Sequence, residues 1–516
     1  MESETGPDPA GVTRRERAAL LASVLIISVC ALVYELVVGT LSSYLLGDSV
    51  TQFSLTIGLF LFAMGLGASL SRRVLRAELA TFIVVEILIG LFGGASAAVL
   101  YATYSLDPDS YRIVMVGVIL SVGIGIGLEI PLLTRIVAAR SDLARALADV
   151  LTIDYVGALI GSLAFPLLLL PWLGVNQTAF LTGLLNVTVA AAILRTFRHR
   201  LTRAARRTLG GAATVTALVM VAGLIASTWW VQVFEQRMYD GLIVYRDQTA
   251  YQRLVITQNQ QDLRLYLDGN LQFSSRDEYR YHEMLVHPVM SAARSRSRVL
   301  VLGGGDGLAV RELLKYPEVE QITVVDLDPA MTAMARSYPP VRRLNQDAFA
   351  DPRVRVVNED AFTFARRDTG HYPVIIADLP DPNNEALSKL YSRQFYRLLG
   401  ERLEPGGAFV TQAASPYFVR EAFWMVDHTV ADAGWQTLPL RTHVPSFGEW
   451  GFVLATRDRA PTVHLPAGIA LRYLTPAVLD TATVFDPDTA EIPTGINTLD
   501  APILQRTYAK GYAAWD

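Results

Sequence analysis

Residues 299–307 of the chain read VLVLGGGDG, and this stretch indicates the architecture of the C-terminal half. The apolar run Val299–Leu302 predicts a buried strand, because a short apolar run that ends at turn residues is typical of a sheet core. The glycines predict a tight turn, and Leu308–Lys315 predicts a helix directly after it. A glycine turn lets the backbone approach a ligand, and the start of a helix offers unpaired N–H groups. The stretch therefore indicates a site for a nucleotide-like ligand.

Further short apolar runs follow the first strand, with helical stretches between them. They are Ile322–Val325, Val354–Val357, Val374–Ala377 and Phe409–Thr411. Strands that alternate with helices predict a doubly wound, Rossmann-like parallel sheet of the α/β class, which we place at residues 297–457.

A small antiparallel β subdomain is predicted ahead of that sheet, at residues 233–296. Leucines alternate along residues 263–267, and Asp268–Gly269 is a favourable hairpin turn. After residue 457 the chain contains prolines and has no regular pattern. We expect this C-terminal extension, residues 458–516, to wrap the catalytic region or to form an oligomer contact.

The N-terminal half predicts a multi-pass α-helical membrane domain. Of the 516 residues, 51% are hydrophobic and only 18% are charged, which is too apolar for an ordinary soluble protein. After a tail at residues 1–18, residues 19–232 predict a bundle of about seven spans, because each apolar stretch can cross a hydrocarbon core of roughly 30 Å. The stretches are Leu20–Leu46, Phe53–Leu70, Ala80–Tyr101, Ile113–Val137, Val150–Trp172, Gly174–Leu194 and Gly211–Trp230.

Arginines mark alternate connections between these stretches. They are Arg14, Arg15 and Arg17, then Arg72, Arg73 and Arg76, then Arg135, Arg140 and Arg145, and finally those of residues 195–207. The positive-inside rule then places the N-terminal tail in the cytoplasm and, after seven spans, the C-terminal half outside. The supply of a cytosolic metabolite predicts the opposite side for a catalytic domain. A re-entrant or split stretch at Val150–Trp172, which contains Asp154 and Pro166, would reconcile the two expectations.

Four acids lie within the apolar stretches: Glu35, Glu86, Glu129 and Asp154. Carboxylates in a membrane usually face the interior of a bundle or an aqueous cavity, so this set would suit a polycation. Protonated or hydrogen-bonded acids between helices are an equally good interpretation. The single cysteine, Cys30, excludes an intrachain disulfide and is interpreted as a small buried apolar residue.

Two acids give the glycine turn a specific chemistry. Asp326 ends the second strand, where an acid accepts hydrogen bonds from ribose hydroxyls in this architecture. Asp306 lies inside the turn, where its carboxylate would repel an acidic ligand tail and attract an ammonium group. The glycine turn and the strand-end acid alone also fit nicotinamide enzymes and methyltransferases.

The turn stands among further motifs that resemble spermidine synthase. They are Tyr251–Gln252, Asp277–Glu283, Asn358–Phe362, Asp378–Pro382 and Thr411–Gln412, and the similarity extends from about Gly241 to Thr456. An apolar bundle ahead of such a domain is similar to the membrane-attached bacterial members of this family. The resemblance implies an aminopropyltransferase that uses decarboxylated S-adenosylmethionine as co-substrate, with no cofactor and no metal. It further implies a diamine acceptor, with putrescine converted to spermidine, the release of methylthioadenosine, and a homodimer.

The resemblance also implies roles for individual residues. The donor would be bound by Gln252, His282, Gly303, Gly305, Asp306, Asp326 and Asp360. Tyr281 and Asp378 would flank the attacking amine, with Asp378 as general base, and the acceptor would be held by Asp381, Gln412 and Phe447. Taken singly, Asp378 and Asp381 can also be interpreted as caps of a loop beside prolines, and Tyr281 as a core aromatic.

The chain departs from the family pattern near the expected acceptor site. Gln412 is followed by two alanines where soluble relatives have Gly-Glu, and Phe447 stands where they have tyrosine. Both changes remove polar groups, so the choice of acceptor is expected to differ in detail. Glu449 could replace the lost charge.

Two alternative functions remain open from the sequence. One is a methyltransferase that uses S-adenosylmethionine, against which Asp306 argues. The other is a membrane bundle that binds or moves polyamines, with the C-terminal half as a sensor. The net charge of −4 and the absence of a broad basic face argue against a nucleic-acid partner. The expected partners are therefore small polyamines and the lipid bilayer, and the expected location is the cell membrane.

Overall fold

The computed structural model describes residues 13–46, 49–74, 77–138, 143–249, 251–465 and 468–515. The chain forms two compact units, Met1–Met238 and Tyr239–Asp516. Their division lies close to the predicted one at residue 232. Arg76, Arg140 and most of the predicted N-terminal tail lie outside the described residues.

The first unit is helical, as its composition predicts. Its helices are α1 (Arg14–Leu46), α2 (Ser49–Leu70), α3 (Glu78–Leu106), α4 (Tyr111–Ala138), α5 (Leu143–Ala164), α6 (Leu170–Thr196) and α7 (Arg203–Met238). The first helix begins before the predicted end of the tail at residue 18.

The seven predicted stretches lie in six helical segments. These six segments of the described residues are long and apolar enough to cross a membrane, and the fifth, Ala144–Thr196, contains two of the predicted stretches. A π-helical turn at Phe165–Leu169 continues the helical backbone past Pro166, so α5 and α6 are joined. Gly174 nevertheless has a non-helical backbone (φ 67°, ψ 178°), which divides the segment close to the predicted boundary.

Arginines connect helix ends at one end of the bundle. Arg135, near the end of α4, donates to the carbonyl of Ser71 after α2 at 2.7 Å. Arg200, between α6 and α7, pairs with Glu16 in the first turn of α1 at 3.1 Å. The helix α7 starts at this end, so Met238 lies at the opposite one. For a bundle that spans a membrane, the orientation of the arginine-rich end therefore decides on which side the second unit starts. A reporter enzyme fused at the C terminus measures this orientation.

Polar side chains from several helices meet inside the bundle. Glu86 of α3 and Glu129 of α4 are both buried there. The amide of Asn186 on α6 donates to Glu86 at 2.9 Å and accepts from the hydroxyl of Tyr34 on α1 at 2.9 Å. Asp154 of α5 accepts a hydrogen bond from a serine of α1. This is the hydrogen-bonded arrangement expected for acids between helices, and a role toward a polycation stays a prediction.

Glycines allow the backbones of α2 and α4 to touch. A Cβ atom at Gly67 would lie 2.1 Å from the carbonyl oxygen of Ile124, and one at Gly127 would lie 2.1 Å from the carbonyl oxygen of Met64. Side chains at these positions would force the helices apart. Close approach through small residues is a common way to pack membrane helices.

We expect Gly67→Ala to destabilise the bundle by about 1–3 kcal/mol, because the new methyl group has no space beside a backbone oxygen. The matched control is Gly65→Ala, two residues earlier on α2, where a Cβ atom has nothing within 4 Å. Thermal midpoints of the two full-length variants in detergent test this. Equal midpoints would show that α2 and α4 are not in backbone contact.

The second unit contains two sheets. The first has strands β1 (Leu242–Gln248), β2 (Arg253–Asn259), β3 (Asp262–Leu267) and β4 (Asn270–Ser274). These pair antiparallel in chain order, as the alternating leucines and the Asp268–Gly269 turn predict. The helix α8 (Glu278–Ala292) follows, and it packs into the core of the larger sheet, although the predicted β subdomain extended to residue 296.

The larger sheet has seven strands. They are β5 (Arg298–Gly303), β6 (Gln321–Asp326), β7 (Val354–Asn358), β8 (Tyr372–Asp378), β9 (Leu403–Gln412), β10 (Gln436–Val444) and β11 (Gly448–Thr456). Its helices are α9 (Leu308–Leu313), α10 (Pro329–Ser337), α11 (Pro339–Leu344), α12 (Ala361–Arg367), α13 (Glu385–Ser388), α14 (Arg393–Arg402) and α15 (Arg420–Asp432). The extension adds α16 (Pro476–Thr481) and α17 (Leu504–Tyr512).

The strand order is β10-β11-β9-β8-β5-β6-β7. Strands β5 to β9 are parallel, as predicted, but β11 pairs antiparallel with both β9 and β10. The five predicted strands are therefore parallel, and β10 and β11 add an antiparallel edge that was not predicted. The register pairs Gly303 with Asp378 and Asp326 with Asn358, so the carboxyl ends of the central strands meet at one edge of the sheet.

Candidate active site at the carboxyl edge of the sheet

The glycine turn lies against the end of β8. The backbone N–H of Gly304 donates to the carbonyl of Asp378 at 3.0 Å, and a Cβ atom at Gly303 would lie 1.9 Å from the same oxygen. Gly303 has a positive φ of 81° as well. Next in the turn, a Cβ atom at Gly305 would lie 2.4 Å from a carboxylate oxygen of Asp326. Glycine is required here because the turn touches both neighbouring strand ends.

A tyrosine and an acid form the centre of the site. The hydroxyl of Tyr281 on α8 donates to Oδ1 of Asp378 at 2.7 Å, and its ring packs against those of His282 and Phe452. Burial raises the pKa of Asp378, while the nearby His282 and the hydrogen bond from Tyr281 lower it. Tyr281 is thus both a core aromatic and a hydrogen-bond donor to the predicted base.

Asp306 and Asp326, two of the three acids predicted to bind the nucleoside donor, are buried away from water. Burial raises the pKa of Asp306 to about 6, although His282 opposes the rise. Burial likewise raises the pKa of Asp326 to about 6, although the backbone N–H of Asp328 donates to its Oδ1 at 2.9 Å. Acids in this condition favour the binding of a cation, because a positive charge repays part of the cost of desolvation.

Behind these acids, the side chains of His282, Glu278 and Arg311 form a buried network that includes two positively charged groups. Nδ1 of His282 lies 2.8 Å from a carboxylate oxygen of Glu278. Nη1 and Nη2 of Arg311 donate to the same carboxylate at 2.8 and 2.9 Å. Burial lowers the pKa of His282, but the hydrogen bond to Glu278 and the nearby Asp306 and Asp378 raise it to about 9. His282 is therefore a cation at neutral pH, facing the donor acids.

Two predicted donor residues lie at the outer strand ends. Gln252, between β1 and β2, donates to Asp328 at 3.1 Å and so lies beside the Asp326 strand end. Asp360 caps α12 by accepting from the N–H of Thr363 at 2.9 Å, and it pairs with Lys389 at 2.8 Å. Burial opposes ionisation of Asp360, but these contacts together lower its pKa.

The predicted acceptor residues form a second polar group beyond Asp378. Gln412, at the end of β9, donates to Oδ1 of Asp381 at 3.2 Å and to the carbonyl of Leu379 at 2.8 Å. The other oxygen of Asp381 accepts from the hydroxyl of Tyr508 at 2.6 Å. Burial raises the pKa of Asp381 to about 6, and both hydrogen bonds oppose the rise.

Phe447 and Glu449 have different positions. The ring of Phe447 packs against Tyr281, with centroids 6.4 Å apart, so it forms an apolar wall of the site as expected. Glu449 instead forms an ion pair with Arg441 at 2.7 Å, so its carboxylate is already engaged by an arginine. Tyr508, which the sequence pattern did not indicate, is the polar side chain of the extension that contacts Asp381.

Comparison with known proteins agrees with this geometry. Residues 278–466 match the spermine/spermidine synthase domain. A polyamine aminopropyltransferase of Ralstonia nicotianae is 44% identical over 99% of this chain and 97% of its own length. One of Oceanobacillus iheyensis is 40% identical over 95% and 96%, and one of Mycobacterium tuberculosis is 42% identical over 97% of both chains. The chain belongs to the polyamine aminopropyltransferase family.

The family membership predicted from the motifs is therefore confirmed. The relatives are similar over nearly their whole length, so the helical first unit is shared with them as well. Among solved structures, a spermidine synthase in complex with the transition-state analogue AdoDATO is 25% identical, with a TM-score of 0.45 over 47% of this chain and 85% of that chain.

Several functional residues of this aminopropyltransferase site were not singled out from the sequence. Glu278 carried a usable signal, because it lies four residues before His282 on one helix face. Asp328 also carried one, since an acid before a proline is a typical start of a helix. Lys389 and Tyr508 carried none, because their partners are distant in sequence. Among the residues with described positions, no group of His, Cys, Asp and Glu could hold a metal ion.

We expect Glu278→Gln to destabilise the second unit by roughly 1–3 kcal/mol, because the buried guanidinium of Arg311 loses one of its two carboxylate partners and keeps only Glu312. The control is Glu318→Gln, which removes the exposed pair with Arg296 and costs less than about 1 kcal/mol. Thermal midpoints of both variants measure the difference. Similar small shifts would show that the buried pair does not support the site.

Proposed function

We propose that this enzyme transfers the aminopropyl group of decarboxylated S-adenosylmethionine to a diamine and releases methylthioadenosine. The leading candidate for the diamine is putrescine. The observation that carries the proposal is the Tyr281–Asp378 pair, which lies at the edge of an acid-lined turn suited to a cationic nucleoside. In the reaction, the amine nitrogen attacks the propyl carbon next to sulfur. The carbon–sulfur bond breaks, its electrons neutralise the sulfonium, and the amine loses one proton.

Donor recognition follows from the charge of the turn. Asp326 accepts hydrogen bonds from the ribose, and Asp360, Gln252 and the glycine backbone hold the rest of the nucleoside. The carboxylate of Asp306 attracts the ammonium end of the aminopropyl tail. The amino-acid tail of S-adenosylmethionine carries an additional carboxylate, which Asp306 repels. This repulsion disfavours the alternative methyltransferase.

Asp378 acts as the general base. An alkylammonium has a pKa near that of lysine, about 10.4, so almost none is nucleophilic at neutral pH. The carboxylate of Asp378 binds this cation and accepts one proton from it, which frees the nitrogen lone pair for attack on the propyl carbon, while Tyr281 holds the carboxylate in place. Asp381, Gln412 and Phe447 hold the acceptor in line with the propyl carbon, which lowers the entropic part of the barrier.

The helical unit anchors this enzyme in the cell membrane. Its six apolar segments and its arginine-rich end favour a multi-pass arrangement in the lipid bilayer. Substrate supply favours a catalytic domain that faces the cytoplasm. A homodimer, expected from the family, stays a prediction.

We expect the purified full-length protein to release methylthioadenosine from decarboxylated S-adenosylmethionine and putrescine, and not from S-adenosylmethionine. Asp378→Asn should lower kcat by roughly 10²- to 10⁴-fold, because the base is lost while its shape is kept. The matched control, Asp432→Asn, removes only a surface pair with Arg393 and should leave kcat unchanged. Equal turnover of both nucleosides, or full activity of Asp378→Asn, would contradict the proposal.

We expect kcat/KM for the donor to fall as the pH decreases through about 6. Asp306 and Asp326 each have a raised pKa of about 6, so below that pH they become protonated and no longer attract the cationic nucleoside. This parameter reports on the free enzyme, and two acids that titrate together give a limb steeper than one proton. In kcat the limb should lie at lower pH, because bound donor favours the ionised acids. A flat profile to pH 5 would exclude this role.

A further inference from the structure

The C-terminal extension reaches into the acceptor side of the site. Tyr508, on helix α17, donates its hydroxyl hydrogen to Oδ2 of Asp381 at 2.6 Å, while Gln412 donates to Oδ1 at 3.2 Å. Each oxygen of this carboxylate therefore has one donor from a different part of the chain. Two donors on opposite oxygens define the plane of the carboxylate, which a single donor would leave free to rotate.

The extension is attached to the loop that follows Asp381. The buried amide of Asn497 donates to the carbonyls of Ser388 and Tyr391 at 2.9 and 3.1 Å. Its own carbonyl accepts from the N–H of Arg393 at 2.9 Å, and its side-chain oxygen accepts from the N–H of Leu504, the first residue of α17. One buried side chain thus ties the start of α17 to the segment behind Asp381.

Aromatic contacts hold the other end of α17. The rings of Tyr508 and Tyr512 lie 5.0 Å apart, and Tyr512 stacks on Phe418 with centroids 6.1 Å apart. The hydroxyl of Tyr508 is consequently placed by a folded segment that is fixed at both ends. By contrast, Ala414 and Phe447, which border the same region, bring no side-chain hydrogen-bonding group.

We propose that Tyr508 is a positioning residue for the acceptor amine, which acts by orienting the Asp381 carboxylate. The inference rests on the proposed function, in which Asp381 binds the acceptor. An ammonium group of the diamine then meets a carboxylate whose orientation is already set, so less order must be created on binding. The acceptor site of this enzyme is in this way completed by a segment outside residues 278–466, which match the family domain.

The ionisation around Asp381 supports the same role. The titratable side chains that interact with it are Tyr281 of α8, Tyr391, and Tyr508 and Tyr512 of α17. Burial raises the pKa of each of these tyrosines, so they stay neutral between pH 5 and 8. Loss of the Tyr508 hydroxyl removes one of the two hydrogen bonds that keep the pKa of Asp381 from rising further.

The test is Tyr508→Phe in the full-length enzyme, assayed by methylthioadenosine release at saturating donor. We expect KM for the diamine to rise roughly tenfold, as for a lost hydrogen bond to a charged group, with kcat and the donor KM nearly unchanged. The acid limb of kcat/KM for the diamine should move to higher pH. The control is Tyr473→Phe, which removes a tyrosine hydroxyl bonded to Thr442 in the same extension and should change none of these values.

A double-mutant cycle separates positioning from a structural role. In an Asp381→Asn background, Tyr508→Phe should have almost no further effect on the diamine KM, because the carboxylate through which it acts is gone. Additive effects, or an equal loss in kcat and in both KM values, would overturn the proposal. So would an unchanged diamine KM and pH limb in Tyr508→Phe while the wild-type enzyme is active. An inactive wild-type enzyme would instead refute the proposed function itself.

Discussion

The backbone of the glycine turn rests directly on the end of strand β8, and the arrangement of the site follows from that contact. A Cβ atom at Gly303 would lie 1.9 Å from the carbonyl oxygen of Asp378, a distance that no side chain permits. The glycine turn and the predicted base, Asp378, are therefore neighbours through their main chains. Because parallel strands end at one edge, Asp326 joins them without any further device.

This closeness has an electrostatic consequence. Asp306, Asp326, Asp378 and Asp381 are all desolvated, and burial raises the pKa of each of them. The charged His282 lowers the pKa of Asp306 and of Asp378, the two acids that lie near it. The site therefore has an excess of negative charge, which the two proposed cationic substrates would compensate. Acids with a shifted pKa are common at functional sites.

The helical unit is held together by a different kind of contact. Its helices meet through glycines, as at Gly67 and Gly127, and its internal acids Glu86 and Asp154 accept hydrogen bonds from neighbouring helices. The relatives share this unit over nearly their whole length, so the combination of bundle and catalytic domain is a property of these proteins as a group. The extension after residue 457 is equally integral, since Asn497 and Tyr508 bind the loop behind the acceptor acid.

Local patterns in the chain were sufficient for the helical bundle, the glycine turn and the five parallel strands. These features depend on periodicity, turn chemistry and the charge of single residues, which are readable within about ten positions. The strands β10 and β11 of the antiparallel edge were not predicted, because Pro439 in one and Gly448 and Gly451 in the other interrupt the apolar pattern. Pro166 made a split of Val150–Trp172 an expectation because proline usually interrupts a helix, whereas a π-helical turn accommodates it here. The contact of Tyr508 with Asp381 spans 127 positions, and the Arg311–Glu278 pair spans 33. Such contacts exist only once the chain is folded, because nothing in the neighbourhood of either residue specifies its partner.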